Sequence, residues 1–120
     1  MTSRSRGAAG EGSGHFIAQR FTAIALLALG PWFVIAAALS LRGGEYAAAI
    51  DFLSHPVNAV ATILLLVLGL YHMQLGMQEV VLDYIAKPTT KVLLLVLNAL
   101  VPLALGAGAI FAVLAVNFGV

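Results

Sequence analysis

Apolar residues fall along this chain in three long blocks separated by short polar punctuation. Residues 21–41 carry no charge and are bracketed by Arg20 and Arg42. Residues 57–71 are likewise uncharged, and the apolar character runs on to Leu82, thinned by His72, Glu79 and two glutamines, Gln74 and Gln78. Beyond Lys91 there is no charged residue. A run of about 20 apolar residues rises roughly 30 Å as a helix, the thickness of a hydrocarbon core. The pattern therefore predicts an all-α membrane protein with three transmembrane helices, over about residues 16–41, 56–84 and 90–118. The middle span is longer than a bilayer needs, so it must tilt or project into water.

The punctuation gives the connections. Residues 1–15 are polar and rich in Gly and Ser, with Arg4 and Arg6, and read as a flexible cytoplasmic tail of one membrane domain covering residues 1–120. The first apolar run exceeds the roughly 7–15 residues of a signal-peptide core, which makes it a retained span. The polar stretch before it is too short for a typical mitochondrial transit peptide, which favours a bacterial source. Gly30 and Pro31 lie mid-span, where lipid tolerates a kink. In the connector over residues 42–56, Tyr46 suits the membrane–water boundary, and residues 46–53 read as a short interfacial helix. Pro56 suits a first helical turn. In the loop over residues 85–91, Pro88 is expected to stop the second helix and Thr89 or Thr90 to cap the third. Asn98 and Pro102 interrupt the third span, and Gly106-Ala107-Gly108 offers a face for close helix packing.

Composition narrows the class. The chain is 62% hydrophobic and 9% charged, against roughly 25% charged in a soluble domain. With 6 Lys+Arg against 5 Asp+Glu there is no basic field for nucleic acid. The absence of cysteine removes disulfides, thiolate metal ligands, iron–sulfur ligation and cysteine nucleophiles. A redox metal held here must use His, Met, Tyr or carboxylate. The charges also set direction. Arg4, Arg6, Arg20, Lys87 and Lys91 lie on one side and Arg42 alone on the other, which puts the N-terminus and the second loop in the cytoplasm and the C-terminus outside. The order is up-down-up. Its Gly- and Ala-rich faces call for partner helices.

One stripe carries candidate chemistry. His72, Gly76, Glu79 and Asp83 fall within about 60° of one another on a helix. His72 lies ~16 Å along the axis from Asp83, near mid-membrane. An imidazole at that depth is either bonded to a neighbouring carbonyl or hydroxyl, or functional. If functional, neutral imidazole is a good axial ligand for haem iron, and Gly76 one turn on gives a flat macrocycle room. No other histidine lies within the spans, so a second histidine ligand would come from another chain. Asp83 and Tyr84 close the span. They read as an interfacial anchor, or as a quinone contact in which Tyr84 donates to a carbonyl and Asp83 orients it. Arg20 is a positive-inside anchor whose guanidinium also suits a haem propionate, with His15 as a possible helper. His55, before Pro56, reads as structural or solvated.

Two motifs carry a resemblance. His15-Phe-Ile-Ala-Gln-Arg20-Phe-Thr-Ala and His72-x-x-x-Gly76-Met-Gln-x-Val-x-x-Asp83-Tyr84 resemble the hydrophobic membrane-anchor subunit of succinate dehydrogenase, the D type, in its alphaproteobacterial form. The resemblance covers nearly the whole chain. It implies that His72 ligates the iron of haem b, with the second ligand on a sister cytochrome b-type anchor subunit. It implies that Tyr84 lines the ubiquinone site with Asp83 beside it, and that Arg20 lies near a haem propionate. It implies a flavoprotein and an iron–sulfur partner, which hold FAD and the Fe–S clusters. Glu79 departs from the pattern, where a neutral residue is usual; it is expected above the haem edge or paired with a lysine.

The sequence thus reads as a non-catalytic anchor subunit of a succinate:quinone oxidoreductase in the bacterial inner membrane. It supplies one iron ligand and one wall of the quinone site, and the cofactors carry the redox chemistry. The alternatives are a cofactor-free membrane assembly protein, a transporter with His72 and Glu79 as a proton relay, and the anchor of a fumarate reductase.

Overall fold

A computed structural model describes the backbone from Thr2 and the side chains from Gly12 to Val120. Four helices follow in order: α1 (Thr2–Ser40), α2 (Tyr46–Ser54), α3 (Pro56–Tyr84) and α4 (Pro88–Phe118). There is no strand among the described residues. Three segments, Gly12–Ser40, Pro56–Tyr84 and Pro88–Phe118, are long and apolar enough to cross a membrane. The expected tail over residues 1–15 lies mostly outside the described side chains. Its described end, Gly12 to His15, already belongs to α1.

The helix ends follow from local chemistry. Pro56 and Pro88 each occupy the first turn of their helix, after an extended His55 and an extended Lys87. Proline has no N–H to leave unpaired there, its φ is already helical, and it pushes the preceding residue out of the helical region. This corrects one expectation. Pro88 starts α4 rather than stopping α3, so Thr89 and Thr90 lie inside the helix and no side chain caps it. α3 ends at Tyr84, four residues before Pro88, with the Ile85 N–H bonded to the Val81 carbonyl at 3.1 Å. The α1–α2 turn uses Gly44 at φ +65, a conformation that glycine adopts at no steric cost. Pro31 and Pro102 lie within α1 and α4, and both helices run on through them.

The spans form a row with α3 in the middle. α1 and α4 both pack on α3 and not on each other among the described residues. α2 touches all three and closes one end. Phe52 of α2 is buried edge-on against Phe33 of α1, ring centroids 5.9 Å apart. Asn117 of α4 donates to the carbonyls of Leu53 and Ser54 at 3.2 and 3.0 Å, which satisfies main-chain acceptors at the end of α2. The α3–α4 contact uses the expected small face: a Cβ on Gly106 would stand 3.1 Å from Leu70 Cδ1.

Little is buried in this row. Leu27, Leu103 and Phe111 are each about 70% exposed or more. Such a surface is stable only against lipid or other apolar helices. The residues that are buried lie in the seams, among them Leu75 and Val81 of α3 and two threonines, Thr22 and Thr62. Thr62 folds its hydroxyl back onto the Asn58 carbonyl at 2.7 Å. Thr22 has a partner on another helix.

Candidate functional site

The α1–α3 seam is antiparallel, and two polar contacts bridge it. Thr22 Oγ1 lies 2.8 Å from His72 Nδ1. His15 Nε2 lies 3.0 Å from Glu79 Oε1. Seven residues separate Thr22 from His15 on α1, and seven separate His72 from Glu79 on α3. Seven residues are two helical turns, about 10.5 Å, so both helices return the same face at the same height. The two contacts are rungs of one register. Between them the α3 seam carries Gly76, where an added Cβ would meet nothing within 4 Å. The notch expected beside His72 is therefore open.

The upper rung is the tighter one. Thr22 is 1% exposed, and its hydroxyl also lies 2.8 Å from the Ala18 carbonyl and 3.0 Å from the Gln19 carbonyl of its own helix. His72 is half-buried, and one ring nitrogen is engaged by the threonine. Of the two sequence readings, a histidine bonded to a neighbouring hydroxyl and a histidine serving as a ligand, the structure makes the first true without closing off the second. An imidazole has two nitrogens, and ligating histidines commonly tie down one to present the other.

The lower rung is an ion-pair contact by distance. The His15 nitrogen is buried, yet its approach to the carboxylate is not aligned as a hydrogen bond. Glu79 is half exposed. Glu79 meets His15, and among the described residues no lysine pairs with it. His15 itself is a helix residue packed toward α3.

The remaining candidates stand apart from this seam. Arg20 is two residues, or about 200°, round α1 from Thr22. It is exposed, with its guanidinium carbon 4.8 Å from the centre of the Phe16 ring. Asp83 and Tyr84 lie exposed at the end of α3, Tyr84 at 80%. Asp83 is one turn beyond Glu79 on the same face. His55 caps the start of α3 and is exposed, as expected of a connector residue.

On the other flank of α3, polarity is spent on packing. Asn98 of α4 donates to the Gln74 carbonyl at 2.9 Å. Pro102, which has no N–H to give back to the Asn98 carbonyl, is buried one turn further on. Two open grooves of about 470 and 370 Å³ run along α3 and α4 on this flank. Tyr71 is the only titratable side chain lining them.

The face that carries His72 and Gly76, and the Asp83-Tyr84 pair at its end, are legible in the sequence. Thr22 has no role in that reading, and Glu79, expected above the haem edge or paired with a lysine, meets His15. The equal seven-residue spacings of His15 to Thr22 and of His72 to Glu79 were the available signal.

Three apolar helices, an end-closing short helix and a half-buried histidine in an interhelical seam define a multi-pass helical membrane protein built to pack with further apolar surfaces. Residues 2–116 match the family described as succinate dehydrogenase/fumarate reductase transmembrane subunit, and the chain belongs to that family. It is similar to the succinate dehydrogenase hydrophobic membrane anchor subunit of Rickettsia bellii (strain RML369-C), 33% identical over 86 residues, covering 72% of this chain and 68% of the relative. The protein of the same description from Rickettsia conorii (strain ATCC VR-613 / Malish 7) is 31% identical over 86 residues, with the same coverage. No solved structure gives a significant match to the chain.

Proposed function

We propose that this chain anchors a succinate:quinone oxidoreductase in the bacterial inner membrane and that His72 supplies one axial ligand of haem b. The second ligand comes from a sister anchor subunit. A flavoprotein and an iron–sulfur protein oxidise succinate, and ubiquinone takes up the electrons at a site that includes Tyr84 and Asp83.

One observation carries the reading. His72 is held by Nδ1 across the α1–α3 seam, which leaves Nε2 with no partner among the described residues. The donor set suits a haem. A porphyrin brings its own equatorial nitrogens and asks the protein only for axial donors. Among the described residues no group of three or more His, Cys, Asp or Glu stands together for a bare ion. The open space at Gly76, one turn from His72, fits the approach of a flat body. When bound, the haem supplies one-electron chemistry. The chain's part is to hold the imidazole aimed, and to keep water from the seam with Leu75 and Thr22.

Arg20 and His15 are the residues suited to propionates. The Arg20 guanidinium is exposed and touches only the Phe16 ring among the described residues, so it is available to a carboxylate. His15 already faces one carboxylate, Glu79, on the α3 side.

Tyr84 and Asp83 suit the quinone. They lie at the water boundary, where a phenol can donate to a quinone carbonyl and protons are at hand. Arg/Lys counts put this end of α3, with the N-terminus, in the cytoplasm and the C-terminus in the periplasm. Partner subunits and the quinone potential set whether succinate oxidation or fumarate reduction dominates. A proton relay through His72 and Glu79 finds no support: they have different partners and lie about 10.5 Å apart along α3, beyond direct proton transfer.

The deciding experiment replaces His72 with Met or Ala in the whole complex and records the reduced-minus-oxidised haem b spectrum. The reading requires loss or alteration of the low-spin signal with membrane insertion retained. An unchanged signal overturns it.

A further inference from the structure

The proton count around Thr22 carries a further conclusion. Its hydroxyl has one hydrogen and three polar neighbours within 3.0 Å: the Ala18 carbonyl, the Gln19 carbonyl and His72 Nδ1. The two carbonyl oxygens only accept. If the hydroxyl gave its hydrogen to His72, two carbonyl oxygens would face the Thr22 oxygen at 2.8 and 3.0 Å with no hydrogen between them. At 1% exposure no water is there to relieve that repulsion. The arrangement that satisfies every group has the hydroxyl donating back to its own helix and its oxygen accepting from His72 Nδ1–H.

We propose that Thr22 is a positioning residue: it fixes the His72 imidazole in the Nδ1–H tautomer, so that the lone pair on Nε2 is always available to a metal. The tautomer is a property of this chain alone. Its consequence for iron rests on the reading of His72 as a haem ligand.

Helix geometry explains why a threonine is used. The back-bond to Ala18 is local to α1 and holds the hydroxyl in one rotamer before α3 arrives. The branched side chain is stiff, so the acceptor lone pair is aimed rather than searching. Glutamine or serine at this position would leave more rotamers open, and valine would present a methyl of the same shape with nothing to accept. The lower rung gives the register a second fixed point two turns away, so the ring does not slide past the hydroxyl.

The test has two arms. In the first, the full chain is labelled with ¹⁵N-histidine in lipid nanodiscs without haem, and His72 is assigned with His15→Gln and His55→Gln variants. The proposal expects wild-type His72 to carry its proton on Nδ1, Thr22→Ser to keep it there, and Thr22→Val to give a mixture of tautomers. A wild-type Nε2–H resonance overturns the proposal, and this measurement needs no Thr22 variant to fold. A Thr22→Val chain with the wild-type resonance overturns it too.

In the second arm, the whole complex is purified with each variant, and haem retention and the low-spin electron paramagnetic resonance g values are measured. Removing a residue that orients a ligand costs about 10–100-fold in metal affinity. Thr22→Val is expected to weaken haem retention in that range and shift the g values, and Thr22→Ser to restore both. Wild-type retention and g values in Thr22→Val overturn the positioning role while His72 stays the ligand. A wild-type haem signal in His72→Met overturns the ligand reading and leaves the tautomer result of the first arm standing.

Discussion

His15 of α1 meets Glu79 of α3 at 3.0 Å, two helical turns from the contact of Thr22 with His72 and in the same antiparallel register. The lower pair is half open on the glutamate side, and such contacts are weak individually. A double-mutant cycle with His15→Gln and Glu79→Gln, read by denaturant unfolding in detergent, is expected to give a coupling of at most about 1 kcal/mol. A coupling well above that would contradict the weak, half-open contact described here.

Asn98 is expected to stabilise the α3–α4 contact modestly, through its one bond to the Gln74 carbonyl. Interhelical hydrogen bonds in membranes average about 0.6 kcal/mol and reach about 1.7. Asn98→Leu should lose that amount in unfolding experiments. Gln74→Leu should not, since Gln74 accepts through its main-chain carbonyl.

Gly106 and Gly76 should respond oppositely to added bulk. A Cβ at Gly106 meets Leu70 at 3.1 Å within this chain, so Gly106→Leu should part α3 from α4 and destabilise the isolated chain. Among the described residues nothing lies within 4 Å of a Cβ added at Gly76. Gly76→Leu should leave the isolated chain as stable as wild type but lower haem content and assembly yield in the complex. Equal behaviour in both settings would remove Gly76 from the site.

Tyr84→Phe should reduce electron transfer to ubiquinone several-fold while succinate oxidation with a soluble artificial acceptor stays near wild type. The two assays share every step before the quinone. Equal losses would place the defect upstream and remove Tyr84 from the quinone contact.

The chain has no cysteine, so a single introduced thiol reports topology cleanly. Val120→Cys is expected to react with an impermeant reagent added from the periplasmic side, and Lys87→Cys only after the inner face is exposed. The reverse pattern would invert the orientation.

The spans are legible because a charge-free run of the right length has few other uses, and α2 because Tyr46 suits the membrane–water boundary. The face shared by His72, Gly76, Glu79 and Asp83 was legible because helical periodicity is local. What touches that face was not. The partner of His72 lies fifty residues away on α1, and the relative height of two helices is set by packing along their whole length. Pro88 was misread because proline marks either side of a helix boundary. Its place in the first turn of α4 depends on α3 having already ended at Tyr84.

Asn117 clasps the end of α2 from sixty-three residues further along the chain. During synthesis, α1, α2 and α3 therefore leave the translocon with that clasp missing. Only when the last turn of α4 is in place does α2 gain that second hold, beside the packing of Phe52 on Phe33.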